Sequence, residues 1–316
     1  MKITDIKETA KLLAGKDNIL ILTHISPDGD TIGSATALCL ALRKLGKKAR
    51  FECADEIPPK YLFLNCKDEE FVPEFIVAVD VASSELLGVS KEKYPKIDLC
   101  IDHHIKNNHY ATNVCLYPKA AATCEIIFDI IKELGKDLFD KEIATSLYMG
   151  ISTDTGCFRY SNVTSDTHKK AYKLIKLGAN NNKVNKIFFR TKSVSMLKLL
   201  GDTIAKADTY FNNRLIFAKI TNEMMEKANA SYDNCGEIVA IVSQLEGFDI
   251  CVIAKEKENS FKYSVRTEDD FDASEIAEKM SGGGHKNAAA FESELPIKDV
   301  ENKIIEICEK LIKNNA

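Results

Sequence analysis

Short apolar runs alternate along the first half of the chain with segments in which apolar residues recur every three or four positions. The runs at 18–23 (NILILT), 49–53 (ARFEC), 75–83 (FIVAVDVAS) and 98–104 (DLCIDHH) predict β-strands, mostly of the kind buried on both faces. The periodic segments predict amphipathic helices, and the one at 31–46 (TIGSATALCLALRKLG) ends on a glycine suited to terminate a helix. Strands that alternate with helices predict a parallel sheet with helices on both of its faces.

The pattern changes after Phe189. A helical segment at 193–207 (SVSMLKLLGDTIAKA) leads into a region predicted as strand, helix, hairpin, helix, glycine-rich loop and final helix. We therefore predict an α/β protein of two domains. A parallel-sheet domain occupies residues 1–188, a helical linker occupies 189–207, and a smaller α/β domain occupies 208–316.

Composition narrows the class of protein and of partner. The hydrophobic content of 45% and the charged content of 28% are ordinary for a soluble globular protein, and the net charge of −4 argues against long duplex nucleic acid as a partner. The N-terminal segment MKITDIKETAKLL lacks the apolar core of a signal peptide, and no apolar run approaches the roughly 20 residues of a membrane helix, so no membrane partner is expected. The ten cysteines occur without a CxxC pair, which favours buried thiols in the reducing cytoplasm.

Acidic and histidine residues follow the ends of the predicted strands and of one helix. They are His24, Asp28, Asp30, Asp80, Asp102, His103, His104 and Asp154. Each has a structural alternative. Asp28 with Gly29 suits a turn, and Asp30 could cap the helix that follows. Asp80 could also be a cap, while the paired histidines and Asp154 could belong to polar loops and turns.

Taken together, these residues favour a metal site. Ligands of open α/β sheets bind at the carboxyl ends of the strands. A mixture of imidazoles and carboxylates suits a divalent first-row metal, and Mn²⁺ is favoured over Mg²⁺ when histidine contributes. The ligands outnumber those that one ion needs, and they would fit two neighbouring ions that share a carboxylate. Two such ions would lower the pKa of a shared water, so that hydroxide is available near neutral pH.

The motifs, in this order, resemble the DHH phosphoesterase superfamily. The run HxxxDxD at 24–30, the lone strand-end Asp80, the triplet DHH at 102–104 and Asp154 within TDTG match its pattern, and SGGGHKNAAA at 281–290 resembles the DHHA1 substrate domain. The resemblance covers nearly the whole chain and is nearest to the nanoRNases, which are oligoribonucleases and 3′-phosphoadenosine-5′-phosphate phosphatases. It implies a DHH catalytic domain, a DHHA1 domain and an active site in the cleft between them.

The resemblance also implies two Mn²⁺ ions per chain, with Mg²⁺ or Co²⁺ as substitutes. One ion would be held by His24, Asp28 and Asp80, and the other by Asp30, Asp80, His103 and Asp154, so that Asp80 bridges. The catalytic residues would be His104, which faces the scissile phosphate, and Asp102, which orients an imidazole by accepting its N–H. Whether His104 acts as an acid or stabilises developing charge stays open.

Substrate-binding residues are expected in the second domain. The guanidinium of Arg266 could grip a phosphate, although an ion pair with Glu268, Asp269 or Asp270 is the structural alternative. The three glycines could form a flexible turn, or their bare backbone could approach a phosphate. The resemblance favours substrate contacts from Arg266, Ser264, Thr267, Gly282, Gly283, Gly284 and His285.

The activity implied by the resemblance is Mn²⁺-dependent hydrolysis, in the cytoplasm, of oligoribonucleotides of a few nucleotides to mononucleotides. Removal of the 3′-phosphate of 3′-phosphoadenosine-5′-phosphate is a second expected reaction. A cyclic-di-AMP or linear-dinucleotide phosphodiesterase is the enzymatic alternative. A noncatalytic nucleotide-binding accessory protein is the alternative of another class, although every predicted metal position carries a competent residue. The expected partners are short oligonucleotides and nucleotides, and homodimers are common in this superfamily.

Overall fold

The chain divides into two compact units, Met1–Thr191 and Lys192–Ala316. The computed structural model describes residues 1–64, 66, 70–232, 234–268 and 270–314. Within these ranges, no helix has both the length and the apolar character needed to cross a membrane.

The first unit is built on a parallel sheet with the strand order β1–β6–β5–β4–β2–β3. Its strands are β1 (Lys2–Ile3), β2 (Ile19–Leu22), β3 (Ala49–Glu52), β4 (Phe75–Val79), β5 (Leu99–Asp102) and β6 (Asn113–Leu116). Its helices are α1 (Ile6–Ala14), α2 (Gly29–Lys44), α3 (Ser90–Lys93), α4 (Thr123–Leu134), α5 (Lys141–Asp154), α6 (Ser165–Lys176) and α7 (Asn181–Asn185). Shorter helical turns lie at Pro59–Tyr61, Ser84–Leu87, Lys136–Leu138 and Lys186–Arg190.

Alternate residues of the central strands enter two different cores, which is why the strands are continuous apolar runs. Ile19 and Ile21 of β2 join a core formed with α1, α2, α4 and α5. Leu20 and Leu22 point to the opposite face, where the segment 81–97 supplies Val81, Leu87 and Ile97. Helical elements therefore lie on both faces, but unequally: the long helices pack on one side, and the other is covered by a short helical turn, α3 and connecting segments.

Helices α2 and α5 pack closely because glycines lie at their contact. A Cβ on Gly33 would lie 2.5 Å from the carbonyl oxygen of Ser146, and one on Gly150 would overlap the sulfur of Cys124. Only glycine allows helices to approach this closely. The contact holds the N-terminus of α2, with Asp30, against the C-terminal half of α5, whose last residue is Asp154.

The second unit contains a mixed sheet with the strand order β11–β12–β10–β9–β8–β7, in which β8 and β9 are parallel and the other neighbours antiparallel. Its strands are β7 (Asp208–Tyr210), β8 (Leu215–Ile220), β9 (Ile250–Glu256), β10 (Phe261–Thr267), β11 (Gly283–His285) and β12 (Ala288–Ser293). Its helices are α8 (Val194–Ala205), α9 (Asn222–Ala228), α10 (Asn234–Val242), α11 (Ala273–Glu278) and α12 (Ile297–Asn314). One apolar core lies beneath α11 and α12, and another lies between α8, α9, α10 and the strands β8 and β9.

The glycine-rich segment is not the loop that the sequence predicts. Gly283–His285 forms β11, which pairs with β12 in antiparallel register. The physical reason lies in close packing: a Cβ on Gly282 would overlap Phe291, and one on Gly284 would overlap the backbone of Ala289. Only Gly283 has open space at the Cβ position. Two of the three glycines are thus required by the sheet itself.

Candidate metal centre

Side chains from four separate places in the first unit converge on one point. Three overlapping groups have ligand atoms that all lie within 4.8 Å of one another. These groups are His24, Asp28 and Asp80; Asp30, His103 and Asp154; and Asp80, His103 and His104. The structure therefore brings together all of the residues expected to bind metal, and Asp80 lies between the two halves of the expected site.

Parallel strands account for this convergence. His24 follows the end of β2, Asp80 follows β4 directly, and His103 follows β5. Because β2, β4 and β5 are neighbours in a parallel sheet, their carboxyl ends meet at one edge. Asp154 is the last residue of α5 and reaches this point from a helix.

Two imidazoles present the same nitrogen to this point. The Nδ1 atom of His24 lies 2.7 Å from the carbonyl oxygen of Ile25, and the Nδ1 atom of His103 lies 3.1 Å from that of Ala120. A carbonyl can only accept, so each Nδ1 carries the hydrogen. The Nε2 atom of His24 then faces the carboxylates of Asp28 and Asp80, each at 3.7 Å.

The Nε2 atom of His103 faces three carboxylate oxygens. It lies 3.5 Å from Asp154, 3.6 Å from Asp80 and 3.9 Å from Asp30. Because Nδ1 donates its hydrogen to a carbonyl, Nε2 is the atom available to a metal. Hydrogen bonds of this kind orient the histidine ligands of metal sites.

Asp30 is held by the N-terminus of α4. Its two carboxylate oxygens accept hydrogen bonds from the backbone N–H groups of Thr123, at 2.5 Å, and Cys124, at 2.9 Å. The hydroxyl of Thr123 donates to Asp80 at 3.0 Å. The backbone N–H groups at the start of a helix have no partner within the helix, so they stabilise a nearby negative charge such as the Asp30 carboxylate. Thr123 is absent from the residues predicted from the sequence, where the only signal would have been the helical periodicity that begins at this position.

The helix cap of α2 is Asp28, whereas the structural alternative considered from the sequence was Asp30. One oxygen of Asp28 accepts from the backbone N–H groups of Asp30, at 2.9 Å, and Thr31, at 3.1 Å. The Asp28 side chain is half exposed, while Asp30 is almost fully buried inside the first turn. Burial would raise the pKa of Asp28, but His24 and these N–H groups hold it below its usual value.

Asp80 has a left-handed backbone, with a φ of 61°. Most L-residues lose of order 1 kcal/mol or more in this conformation, aspartate and asparagine less, and such residues cluster at functional sites. The conformation turns the chain sharply as β4 ends, and the nearly buried carboxylate faces both His24 and His103.

The cluster holds more negative charge than its surroundings stabilise. Burial and the charges of Asp80 and Asp154 raise the pKa of Asp30 well above its usual value. Burial, then the charges of Asp80 and Asp28, raises the pKa of Asp154 to about 8, and burial and the charge of Asp28 raise the pKa of Asp80. Burial would lower the pKa of His24, but the carboxylates of Asp28 and Asp80 raise it to about 11.

These residues fit a divalent metal. The carboxylates repel one another, two imidazole Nε2 atoms face the same space, and the hydrogen bonds behind them fix their orientation. A bound cation would offset the repulsion and take the place of protons that the cluster otherwise holds.

His104 has a different set of contacts from His103. Its Nδ1 atom lies 2.7 Å from Oδ1 of Asp102, and the other oxygen of Asp102 accepts from the side-chain amide of Asn107 at 2.6 Å. Burial would lower the pKa of His104, but the hydrogen bond and charge of Asp102 raise it to about 9. Asp102 is fully buried and belongs to none of the three ligand groups, so it positions His104. Asn107 has no counterpart in the sequence motif.

The residues expected to bind substrate in the second unit lie on β10 and β11. Ser264 is buried in β10, and its hydroxyl has no hydrogen-bond partner among the described residues. Arg266 donates from Nη1 to the carbonyl of Val265 at 2.9 Å. The hydroxyl oxygen of Thr267 lies within 3.1 Å of two main-chain carbonyl oxygens, so the hydroxyl hydrogen is already donated within the protein. The side chain of His285, like all of Asp269, lies outside the described part of the chain.

Comparison with known proteins extends these findings. The DHH family, N-terminal domain, matches residues 18–151, and the DHHA1 domain matches residues 212–314. The chain is 33% identical to the bifunctional oligoribonuclease and PAP phosphatase NrnA of Thermus thermophilus, over 91% of this chain and 87% of the relative. It is 24% identical to the Bacillus subtilis protein of the same name, over 89% and 91%. The crystal structure of an exopolyphosphatase-related protein from Bacteroides fragilis has a TM-score of 0.88 at 22% identity, covers 97% of both chains, and shows the same fold.

Proposed function

Because the chain belongs to the DHH/DHHA1 phosphoesterases, a family of metal-dependent hydrolases, we propose that it hydrolyses oligoribonucleotides of a few nucleotides to mononucleotides with two Mn²⁺ ions. It also removes the 3′-phosphate of 3′-phosphoadenosine-5′-phosphate. The relatives named as oligoribonuclease and PAP phosphatase support this choice of substrates, since they align along nearly the whole chain.

The observation that carries the proposal is the convergence of His24, Asp28, Asp80, Asp30, His103 and Asp154 on one point. His24, Asp28 and Asp80 hold one ion. Asp30, His103 and Asp154 hold the other and share Asp80 with the first. The two oxygens of Asp80 support this division, because Oδ2 faces His24 and Oδ1 faces His103. Mg²⁺ or Co²⁺ could replace Mn²⁺.

The bound ions would lower the pKa of water, so that a nucleophile is available near neutral pH, and would neutralise phosphate charge. The residues of the chain orient the reactants. Asp30 is fixed by the start of α4, and the histidines are fixed by main-chain carbonyls, so the donor atoms need little rearrangement. Asp102 holds His104 through Nδ1, which leaves Nε2 of His104 as the atom that contacts the scissile phosphate.

The second unit also carries residues suited to contact substrate phosphate. Arg266, Ser264 and the backbone of Gly283 contact phosphate in this proposal, and His285 adds a further contact. Gly283 supports this assignment because a Cβ there would enter open space, so the sheet does not require glycine at this position. Gly282, Gly284 and Thr267 shape the strand pairing that presents the other residues.

The test is hydrolysis of end-labelled di- to decanucleotides, cyclic di-AMP and 3′-phosphoadenosine-5′-phosphate, with Mn²⁺ and with chelator. We expect Mn²⁺-dependent release of mononucleotides, fastest for the shortest chains, and release of phosphate from 3′-phosphoadenosine-5′-phosphate. Faster turnover of cyclic di-AMP than of any linear chain would identify a cyclic-dinucleotide phosphodiesterase instead. Nucleotide binding without Mn²⁺-dependent hydrolysis would identify a noncatalytic binding protein.

A further inference from the structure

Lys255 is a lysine of β9 that lies buried in the second unit. Only 9% of its surface is exposed, and its Nζ atom has no hydrogen bond and no carboxylate within 4.0 Å among the described residues. Lysine is almost never this deeply buried unless it is paired. Among the described residues no carboxylate offsets this charge, which is costly when buried, and a bound anion would supply the missing partner.

The neighbours of Lys255 increase this cost. In the antiparallel register of β9 and β10, Lys262 lies directly opposite Lys255, and like charges in this position destabilise a sheet. Arg266 lies on the same face of β10, two positions beyond Ser264. Burial, with the positive charges of Lys262 and Arg266, lowers the pKa of Lys255.

Two nearby groups offset only part of the positive charge. The Nζ atom of Lys255 lies 5.7 Å from the ring centre of Tyr232, and such a contact contributes about 1 kcal/mol. Glu292 of β12 lies opposite Lys262, but its carboxylate accepts from Lys257 at 2.7 Å and from Ser260 at 2.6 Å. Among the described residues, Lys255 and Lys262 therefore keep positive charge that no ion pair offsets.

Small residues leave room for a ligand beside these cations. Ala290 lies opposite Ser264, and Gly283 lies opposite Ala290, so the part of the face formed by β10, β12 and β11 carries no large side chain between Lys262 and Arg266. Lys262 and Arg266 are four positions apart, roughly 14 Å along a strand. Lys255 and Arg266 are thus far enough apart to contact different phosphates of one short chain.

We propose that Lys255 binds a non-scissile phosphate of the substrate, distinct from the phosphate that Arg266 contacts, and so favours short oligonucleotides that carry an additional phosphate. The inference rests on the proposed function for the identity of the substrate. Its physical basis is independent of the metal centre. Among the described residues, Lys255 is a buried cation with no ion pair, two further cations lie on the same face, and the hydroxyl of Ser264 has no hydrogen-bond partner.

A binding experiment tests the inference without catalysis. Calorimetry in chelator would measure the affinity of the full chain for 3′-phosphoadenosine-5′-phosphate and for the 5′-phosphorylated dinucleotide pApA. We expect Lys255→Met to weaken binding of at least pApA about 10- to 100-fold, as for the loss of a charged hydrogen bond. Lys255→Arg should restore most of the affinity. Lys257→Met is the matched control, because Lys257 is exposed and already engaged with Glu292, and it should change affinity less than about threefold.

Thermal unfolding separates a binding role from a structural one. Removing an unpaired buried charge should raise the melting temperature of Lys255→Met even as ligand binding weakens. A fall in both stability and affinity would overturn the inference, because Lys255 would then be holding the fold together. Unchanged affinity in Lys255→Met, or no binding of either ligand to the unaltered protein, would overturn it as well.

Kinetics distinguish failure of this inference from failure of the proposed function. The ratio of kcat/KM for pApA to that for ApA, which lacks the additional phosphate, should fall about 10- to 100-fold in Lys255→Met. Lys257→Met should leave this ratio and the hydrolysis of bis(p-nitrophenyl) phosphate unchanged. An unchanged ratio in an active enzyme refutes the role of Lys255 alone. Absence of hydrolysis of every substrate refutes the proposed function, and the binding measurements still decide the role of Lys255.

Discussion

His104 donates its Nδ1 hydrogen to Oδ1 of Asp102 across 2.7 Å, and Asp102 touches no residue of the metal cluster other than the adjacent histidines. The direction of this hydrogen bond is determined by the carboxylate: the pKa of Asp102 lies below its usual value because His104 and Asn107 offset the effect of its burial. Asp102 is therefore an acceptor, and it fixes both the tautomer and the orientation of His104.

Asp102→Asn should impair turnover without loss of metal. The amide keeps the size of the side chain but removes the charge that orients the imidazole, so we expect kcat on a dinucleotide to fall about 10- to 100-fold, with KM and Mn²⁺ affinity changed less than about threefold. Steady-state kinetics and Mn²⁺ calorimetry measure these quantities. Asp98→Asn, just before β5, is the control for a lost carboxylate nearby. A loss of Mn²⁺ affinity equal to the loss of kcat would show instead that Asp102 supports the metal ligands.

Asp80→Asn and His103→Ala should each abolish metal-dependent hydrolysis. Asparagine tolerates the left-handed backbone at position 80, so the first change removes charge and leaves the chain path intact. We expect rates to fall by more than about a hundredfold, beyond the effect of losing an outer hydrogen-bond partner, with a matching loss of tightly bound Mn²⁺.

The matched control for these two variants is His109→Asn, which removes an exposed histidine of the same unit at another left-handed position. It should keep full activity. Retained Mn²⁺-dependent activity in either cluster variant would rule out the proposed site.

The stability of the metal-free protein should fall as the pH rises through the range in which Asp154 titrates. Its pKa is about 8 in the folded protein, against about 3.9 in an unfolded chain, so the folded state binds more protons between these values. The free energy of unfolding therefore decreases from about pH 4 to pH 8. His24 acts in the same direction at higher pH, because the stability from its raised pKa is lost as the pH passes through about 11.

Asp154→Asn isolates this effect. In chelator at pH 8, we expect it to raise the free energy of unfolding by about 1–2 kcal/mol relative to the unaltered protein, with little difference at pH 4. Mn²⁺ should stabilise the unaltered protein more at pH 8 than at pH 6, and Asp154→Asn much less at either pH. Urea unfolding across this pH range measures both. Lower stability of the variant at pH 8 in chelator would show that the Asp154 carboxylate is not repelled by its neighbours.

Gly150→Ala should destabilise the first unit. The added methyl would overlap the sulfur of Cys124 and lie 2.9 Å from Oδ1 of Asp30, so we expect a cost of about 1–3 kcal/mol and weaker Mn²⁺ binding. Gly201→Ala is the control, since nothing lies within 4 Å of its Cβ position and alanine favours the helix. Denaturant unfolding monitored for each unit would show the effect, and equal stability of the two variants would contradict the close α2–α5 contact.

The sequence predicts the parts of the site that depend on strand ends. Asp80 and His103 follow continuous apolar strands, and parallel pairing then brings them together without further information. The C-terminal end of α5 is harder to predict from the sequence. The segment TDTG resembles a turn that follows a helix, although the helix continues through its first two residues. As the last residue of that helix, Asp154 reaches the same point from a different layer.

Contacts made by the backbone or decided by tertiary burial are not visible in the sequence. The N–H groups that hold Asp30 belong to Thr123 and Cys124, and any residue other than proline could supply them. Lys255 looks like an ordinary strand lysine, and only the fold shows that it is buried and forms no ion pair with the described residues. The glycines resemble a flexible loop, because residue type alone does not report the close approach of Ala289 and Phe291.

The left-handed backbone of Asp80 restricts which amino acids evolution or an engineer could place there. Glycine, asparagine and aspartate adopt this conformation at a low cost in free energy. Glutamate is an equally good oxygen ligand, but its longer side chain makes a φ near 60° less favourable. Of the tolerant residues only aspartate carries a carboxylate. Aspartate is therefore the one standard amino acid that satisfies both the backbone conformation and the metal. We expect saturation mutagenesis at position 80, under selection for activity, to recover aspartate alone.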